Sequence, residues 1–392
     1  MSELLRHSLN GTPPRPRPNP ISQYDPEESH PPSDSSSSPT DSVASINTIR
    51  PSSREQAAQP THWTNYFTQD LYLDWRDDTQ TAKYHVYLTP PQDPKKGPLF
   101  ICHHGAGASG LSFALFAKHI KRLLPEAGIL SLEARAHGSI VTPAPNANDT
   151  TPADFSIKTL ASDALNMIRL TQSHLSWPSI PPAILIGHSL GGAIVTELAA
   201  TAALGSSLVG YCVLDVVEGS ALEALAHMKT YLSTRPTHFS SLDDAVNWHT
   251  RSRTIRSPES AQISVPSLLR PVPAPTEAGA STSQQFTWHT DLASTAPWWE
   301  DWFQGMSRKF LSGRGAKMLI LAGTDRLDKD LMIGQMQGKF QLVVLPEAGH
   351  FIQEDVPERT AELVVEFWRR NDRSALVLPP KVSELIAQGK KV

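Results

Sequence analysis

The segment Ile184-Leu185-Ile186-Gly187-His188-Ser189-Leu190-Gly191-Gly192 decides the fold of this chain. A short apolar run, of the kind found in a buried strand, leads into Gly-x-Ser-x-Gly, and the Ala-, Leu- and Ile-rich residues 191–204 then have a helical pattern. A serine between two glycines at such a junction is typical of a sharp, strained turn that lifts the hydroxyl above the edge of a sheet. The pattern predicts that Ser189 is a nucleophile, and an ordinary glycine-rich turn is the alternative.

Outward from this segment, short apolar runs alternate with helical patterns. Strands are predicted at 70–75, 83–88, 98–103, 128–132, 183–186, 208–215, 317–322 and 340–345. Helices are predicted at 111–124, 155–174, 191–204, 329–336 and 357–370. This alternation predicts a mostly parallel sheet with helices on both faces. Together with the turn at Ser189, it favours the α/β-hydrolase fold.

The alternation breaks between residues 218 and 311, which predicts a helical cap insertion within one hydrolase domain at 61–370. Residues 251–285 are rich in Ser, Pro, Arg, Thr and Gln, so we expect a mobile loop there. Residues 1–60 are rich in Pro and Ser and poor in large apolar side chains, which predicts a disordered tail. A second tail is expected at 371–392.

Composition excludes several classes of function. The formal charge of −4 and the pI near 6.4 give no reason to expect nucleic acid or an anionic membrane as a partner. The cysteines Cys102 and Cys212 lie in apolar runs, so no disulfide framework is expected. The sequence has no apolar signal region and no run long enough to span a membrane, which predicts an intracellular protein, cytoplasmic or nuclear.

A serine nucleophile needs a base and an acid that orients the base. The base is expected late in the chain, after the last strand, where His350 follows Gly349. Two aspartates are candidates for the acid: Asp325 follows the strand at 317–322, and Asp215 follows the strand before it. The order of elements alone slightly favours Asp325.

An oxyanion hole needs two backbone donors. One should be the amide of Leu190, the residue after the nucleophile. The other should come from the loop His104-Gly105-Ala106-Gly107, with the Ala106 amide first and Gly107 next. The same loop does not fit a phosphate-binding motif, because no Gly-Lys-Ser/Thr follows it.

Several further segments resemble one particular family of hydrolases and not hydrolases in general. They are His104-Gly105-Ala106-Gly107, Arg135-Ala136-His137-Gly138, Leu214-Asp215-Val216-Val217-Glu218-Gly219, Trp299-Glu300-Asp301-Trp302-Phe303-Gln304-Gly305 and Leu321-Ala322-Gly323-Thr324-Asp325-Arg326-Leu327-Asp328-Lys329-Asp330. With the segment around Ser189, they resemble the protein phosphatase methylesterase family over most of residues 63–370. Leu190 stands where that family often has Met, and Ala106 where it often has Gly, and neither difference removes a backbone amide.

The resemblance implies an activity and changes the assignment of the acid. It implies a serine esterase that removes methanol from the methylated C-terminal leucine of the protein phosphatase 2A catalytic subunit, with no metal and no cofactor. It places the acid in the Asp-Val-Val-Glu-Gly segment, which makes Asp215 the expected acid and Asp325 the alternative. Arg135 and Glu218 would orient the peptide or pair within the wall. Trp299 and Trp302 would contact the phosphatase or pack on their own domain.

Two other functions remain open on the sequence. The same scaffold serves general carboxylesterases and lipases, which would need an open apolar acyl pocket. The long insertion and the tail would also suit a protein that binds and inhibits a phosphatase stoichiometrically.

Overall fold

The computed structural model describes residues 62–144, 153–272, 284–323 and 327–372. The predicted tail at 1–60 and residues 373–392 of the predicted C-terminal tail lie outside these ranges. The strands are β1 Gln69–Arg76, β2 Gln80–Thr89, β3 Leu99–His103, β4 Gly128–Leu132, β5 Ile140–Pro143, β6 Ala183–His188, β7 Leu208–Leu214, β8 His238–Phe239, β9 Leu269–Pro271, β10 Phe286–Trp288, β11 Ala316–Leu321 and β12 Gln341–Val344. The helices are α1 Ala114–Leu123, α2 Ile157–His174, α3 Leu190–Ala200, α4 Glu218–Thr234, α5 Leu242–Arg251, α6 Pro258–Ser264, α7 Trp299–Phe303, α8 Met306–Ser312, α9 Lys329–Met336, α10 Ile352–Asp355 and α11 Pro357–Asn371.

The main sheet is mostly parallel, as predicted. Among the described residues it has nine strands, in the order β1-β2-β4-β3-β6-β7-β11-β12, with β5 paired to β2. The six strands β4, β3, β6, β7, β11 and β12 run parallel, while β1, β2 and β5 join antiparallel at one edge. Every residue of β3, β4 and β6 is buried, because helices cover both faces of these central strands.

Helices pack on both faces of this sheet and bury two apolar cores. On one face α3 buries residues such as Ala193 and Leu198 against β6 and β7, and α2 buries Leu160 beside it over β1 and β2. On the other face α1 and α11 bury residues such as Phe116 and Val364. These layers are those of the α/β-hydrolase fold, so the predicted fold class is confirmed.

The insertion, defined as residues 218–311, differs from its prediction in the segment that was expected to be a loop. Residues 251–285 are not one loop: they contain α6 and β9, and β9 belongs to the small sheet β8-β10-β9, while 273–283 fall outside the described residues. The loop-like composition misled because Ser257 caps α6 by accepting the Ser260 amide at 3.2 Å, and Pro258 occupies the first turn. Serine and proline are favoured at these helix-start positions as well as in loops.

The parts of the insertion pack in different places. Its first part has a small core of its own around Phe239, Ala261 and Leu269. Its last part, α7 and α8, instead buries Trp302 and Phe310 in the core of the main domain. Among the described residues, no helix combines the length and hydropathy that crossing a bilayer requires.

Candidate active site

Ser189 lies in a strained turn between β6 and α3. Its φ of +52° and ψ of −120° fall outside the regions that a non-glycine residue normally occupies. The flanking glycines are required by backbone contact. A Cβ at Gly187 would lie 2.1 Å from the Gly191 carbonyl oxygen, and one at Gly191 would lie 2.1 Å from the His103 carbonyl oxygen. The Gly-x-Ser-x-Gly pattern thus reflects close packing of main chain on both sides of the serine.

His350 is joined to Asp215 at the same edge of the sheet. Asp215 follows β7 directly, and its Oδ2 lies 2.9 Å from His350 Nδ1. Its other oxygen, Oδ1, accepts the Ala322 amide at 2.9 Å, which fixes the plane of the carboxylate. Because an ionised carboxylate only accepts hydrogen bonds, His350 Nδ1 must donate, which leaves Nε2 with a lone pair. The alternative acid, Asp325, lies outside the described residues.

Ser189 and His350 line one cavity of about 170 Å³. The carboxylate beneath them is fully buried, whereas the His350 side chain is 47% exposed, so the imidazole faces the cavity from a buried support. A lone pair on a histidine orientated by a buried carboxylate, in a cavity with a serine in a strained turn, is the arrangement that activates a hydroxyl for attack on a carbonyl.

The predicted oxyanion donors do not all point the same way. Leu190 is the first residue of α3, so its amide has no partner within the helix. Gly105 runs against the serine, since a Cβ there would lie 3.0 Å from Ser189 Cβ, and this brings the Ala106 peptide to the cavity. The prediction for Gly107 is wrong, because its amide donates to His137 Nε2 at 2.8 Å.

Four buried histidines near the site are neutral at neutral pH. Burial lowers the pKa of His104 to about 4 and those of His103, His137 and His188 to about 3. His137 illustrates the arrangement: Nδ1 donates to the Arg135 carbonyl at 2.9 Å and Nε2 accepts the Gly107 amide. Each ring acts as a neutral brace for the loops at the sheet edge.

His188 is a site residue whose role the sequence did not reveal. Its Nε2 donates to the main-chain carbonyl of His350 at 2.8 Å, so the residue before the serine holds the histidine loop. Its ring also packs against the rings of His350 and Phe351, whose centroids lie 4.7 and 4.8 Å away. The signal in the sequence was its place inside the pentapeptide.

A second support of the histidine loop joins it to the insertion. Asp355 Oδ2 accepts the Gly349 amide at 2.6 Å, and its Oδ1 accepts the Arg256 amide at 2.7 Å. Arg256 also donates from Nη1 to the Glu347 carbonyl at 2.7 Å. Two segments that are distant in sequence therefore share one carboxylate beside His350.

Of the two roles expected for Arg135 and Glu218, the structure shows pairing within the wall and not contact with a peptide. Arg135 is buried, and its Nε and Nη2 donate to the two oxygens of Asp163 at 2.5 and 2.8 Å. Glu218 accepts the Gly305 and Ser307 amides at 2.8 and 3.0 Å and so caps the start of α8. Both charges are used inside the fold, and neither residue lines the cavity with Ser189.

Trp299 and Trp302 also do not form a partner surface. Both are buried, and their indole nitrogens donate to Thr295 Oγ1 at 2.9 Å and to the Phe155 carbonyl at 2.7 Å. The side chains that do cover Ser189 come from elsewhere in the insertion. They include Met228, Tyr231, Arg235, Trp248, Leu268, Trp288 and Leu292. Among the described residues, no cluster of three or more His, Cys, Asp or Glu side chains could hold a metal ion.

Comparison with known proteins adds to this geometry. Residues 100–363 match the model of the alpha/beta hydrolase family. "Protein phosphatase methylesterase 1" of Neurospora crassa is 52% identical over 92% of this chain and 89% of its own length. Proteins of the same name from Aspergillus oryzae and Schizosaccharomyces pombe are 54% and 44% identical, over 85% and 82% of this chain and 77% and 87% of theirs.

Solved structures show the same fold at much lower identity. E-2-(acetamidomethylene)succinate hydrolase aligns with a TM-score of 0.54 at 20% identity, over 76% of this chain and all of its own. The peroxisomal alpha-beta-hydrolase Lpx1 of Saccharomyces cerevisiae aligns with a TM-score of 0.53 at 13% identity, over 82% of this chain and 94% of its own. At such identity the likeness concerns the fold alone.

Proposed function

Because the chain belongs to the protein phosphatase methylesterase family of α/β-hydrolases, we propose that it demethylates the C-terminal leucine methyl ester of the protein phosphatase 2A catalytic subunit. The chain is a carboxylic ester hydrolase. The name shared by its relatives supports a phosphatase as the substrate. The observation that carries the chemistry is the 2.9 Å contact of His350 Nδ1 with Asp215, in the cavity that Ser189 lines.

In the first half-reaction Ser189 Oγ attacks the ester carbonyl carbon while its proton passes to His350 Nε2. The negative charge that develops on the carbonyl oxygen is held by the amides of Leu190 and Ala106. Asp215 stabilises the imidazolium that forms and keeps its Nδ1–H in place. When the tetrahedral intermediate collapses, the C–O bond to the methoxy group breaks, and His350 gives it the proton to form methanol.

In the second half-reaction water replaces methanol. His350 Nε2 takes a proton from the water as its oxygen attacks the acyl carbon bound to Ser189. The second tetrahedral intermediate expels the Ser189 oxygen, which recovers its proton from His350. The products are the free C-terminal carboxylate and the restored enzyme, so atoms and charges balance without a metal or a redox partner.

Substrate selection must come from the peptide and the phosphatase, because a methyl group supplies little binding energy. The cavity over Ser189 has room for one chain end and is closed by aromatic and aliphatic side chains of the insertion, including Tyr231 and Leu292. This size favours a C-terminal residue over the long acyl chain that a lipase would bind.

The test is to incubate the purified chain with methylated phosphatase 2A and measure the methanol released and the ester remaining. We expect the wild-type chain to remove the ester and Ser189→Ala to leave it intact, while the variant still binds the phosphatase. An intact ester after incubation with wild type, in a preparation that hydrolyses small esters, would show that the substrate is a different one. Comparable turnover of unrelated lipid esters would favour a general carboxylesterase.

A further inference from the structure

Arg235 places a positive charge in the cavity of Ser189. It directly follows α4, and it borders both this cavity and a neighbouring cleft of about 350 Å³. No residue of the Gly-x-Ser-x-Gly segment or the histidine loop carries a comparable charge toward the substrate. The insertion thus supplies a cation where the sheet edge supplies the nucleophile.

The position of Arg235 is fixed by an aromatic platform. Its guanidinium carbon lies 3.6 Å above the centroid of the Trp288 ring, within the range of a cation–π contact. Trp288 is itself held, because its Nε1 donates to the Pro236 carbonyl at 2.7 Å and its ring packs edgewise on Phe239 and Trp248. Stacking leaves the edge of the guanidinium, which carries its N–H donors, available for a ligand.

The charge of Arg235 has no carboxylate partner within the described residues, in contrast to that of Arg135. Burial lowers the pKa of Arg235, and the group stays protonated because the pKa of a free guanidinium is above 12. Keeping an unpaired charge largely out of water costs free energy, and an opposite charge from a ligand would offset that cost. Such a group in a substrate cavity is therefore suited to an anion.

The neighbouring cleft extends the positive field away from Ser189. Arg270 lines it together with Arg235, and two histidines, His238 and His289, lie beside them. Asp291 is the acidic residue of this lining. A peptide whose esterified end reaches Ser189 and whose chain leaves through this cleft would pass two arginines.

On the basis of the proposed function, we infer that Arg235 is a specificity-determining residue that binds an anionic side chain of the substrate on the N-terminal side of the esterified residue. The substrate class is then a peptide C-terminus that carries an aspartate, a glutamate or a phosphorylated residue shortly before its methyl ester. The guanidinium holds that anion by charge-assisted hydrogen bonds while Trp288 keeps the guanidinium in place. Arg270 adds a weaker attraction for charges further along the peptide.

The test uses short peptide methyl esters that differ at one position, with aspartate, phosphoserine or asparagine moved through the residues before the ester. We expect wild type to prefer an anionic peptide to its asparagine twin, at one position, by roughly tenfold or more in kcat/KM. Arg235→Gln should bring this ratio close to one, and Arg235→Lys should keep most of it. Arg235→Glu should reverse the preference toward a lysine peptide.

The control is Arg251→Gln, because Arg251 is exposed, lies in the same insertion and does not line either cavity. It should keep both the preference and the rate, and melting curves of every variant verify folding. A wild-type ratio near one at all positions, or an unchanged ratio in Arg235→Gln, would overturn the inference. Binding of the free carboxylate product that depends on Arg235, without any preference among esters, would also overturn it. If wild type hydrolyses small esters but none of the peptides, the proposed function fails instead.

Discussion

The carboxyl edge of the sheet and the insertion build one cavity by different means. At the sheet edge, Ser189 follows β6, Asp215 follows β7 and the His350 loop follows β12, and the glycine loop follows β3. These parallel strands are neighbours or nearly so, and their carboxyl ends lie at the same edge of the sheet. Residues that are far apart in sequence therefore lie close together there. In the insertion, Arg235 comes after α4 and its platform Trp288 comes from β10, and only the packed insertion brings them together.

This difference determines which residues are recognisable in a sequence. At the sheet edge main chain touches main chain, so the sequence must carry glycine at 187 and 191, and the turn leaves a pattern. In the insertion the contacts are between side chains, and many residue types could occupy each position. The catalytic half of the site is thus recognisable by pattern, and the selective half requires the structure.

The largest expected effect belongs to the sheet edge. Asp215→Asn should lower kcat about 10,000-fold, because an amide that faces His350 Nδ1 no longer favours the tautomer that frees Nε2. The rate on a small ester measures this without any contribution from peptide binding. Asp325→Asn is the matched control and should remain near wild type. A large loss in Asp325→Asn with a mild one in Asp215→Asn would reverse the assignment of the acid.

The next largest effect is a loss of stability that distinguishes Arg135 from Arg235, two arginines that look alike in the sequence. Arg135→Gln should lower the free energy of unfolding by about 3–5 kcal/mol, since it leaves the buried Asp163 carboxylate with the Tyr84 hydroxyl but without its charged partner. Denaturant unfolding measures this loss, with the exposed Arg251→Gln as control. The preference of the folded enzyme for anionic peptides should not change. A loss of that preference with unchanged stability would mean that Arg135 is the substrate arginine after all.

Low pH should lower the stability of the fold through the buried histidines at the sheet edge. Burial, reinforced by His104, lowers the pKa of His137 to about 3, below the unfolded value of 6.5. The unfolded chain therefore binds more protons at mildly acidic pH, so this stability is fully present above pH 6.5 and is lost as the pH falls toward 3. His137→Gln keeps a donor and an acceptor but cannot titrate, and it should reduce the loss between pH 7 and pH 5 by about 2 kcal/mol. Parallel stability curves for the two proteins would contradict this.

Much of the fold could be predicted because its signals are local. The alternation of apolar runs predicted β3, β6 and β7, and the strands predicted at 70–75 and 83–88 correspond to β1 and β2. The tautomer and support of His350 could not be predicted, because His188 and Asp355 reach it through main-chain atoms. A hydrogen bond to a main-chain atom does not depend on which residue type carries that atom. The sequence therefore gives no sign of the bond.

The roles that the sequence left open have the same physical origin. Arg135, Glu218, Trp299 and Trp302 have the chemistry of a binding site, and the fold uses all four internally. Whether an arginine is free or paired depends on a partner such as Asp163, which the chain supplies from a separate helix. Composition misled at 251–285 as well, because the residues that favour loops also begin helices.

The smallest expected effect is on kcat in a variant of Asp355, and it would show whether the sheet edge and the insertion act independently. Asp355 accepts amides from Gly349 of the histidine loop and from Arg256 of the insertion, and an asparagine can accept only one of them. Asp355→Asn should therefore lower kcat about tenfold on small esters and peptides alike, because the His350 loop loses one anchor. Arg256→Ala keeps the amide and removes the side-chain bond to Glu347 and the 3.9 Å ion pair of Arg256 Nε with Asp355 Oδ2, so it should cost less. If Asp355→Asn alters KM for peptides but leaves kcat on small esters intact, the carboxylate acts in the insertion alone. If it lowers kcat on both, the region that selects the substrate also holds the catalytic base in place.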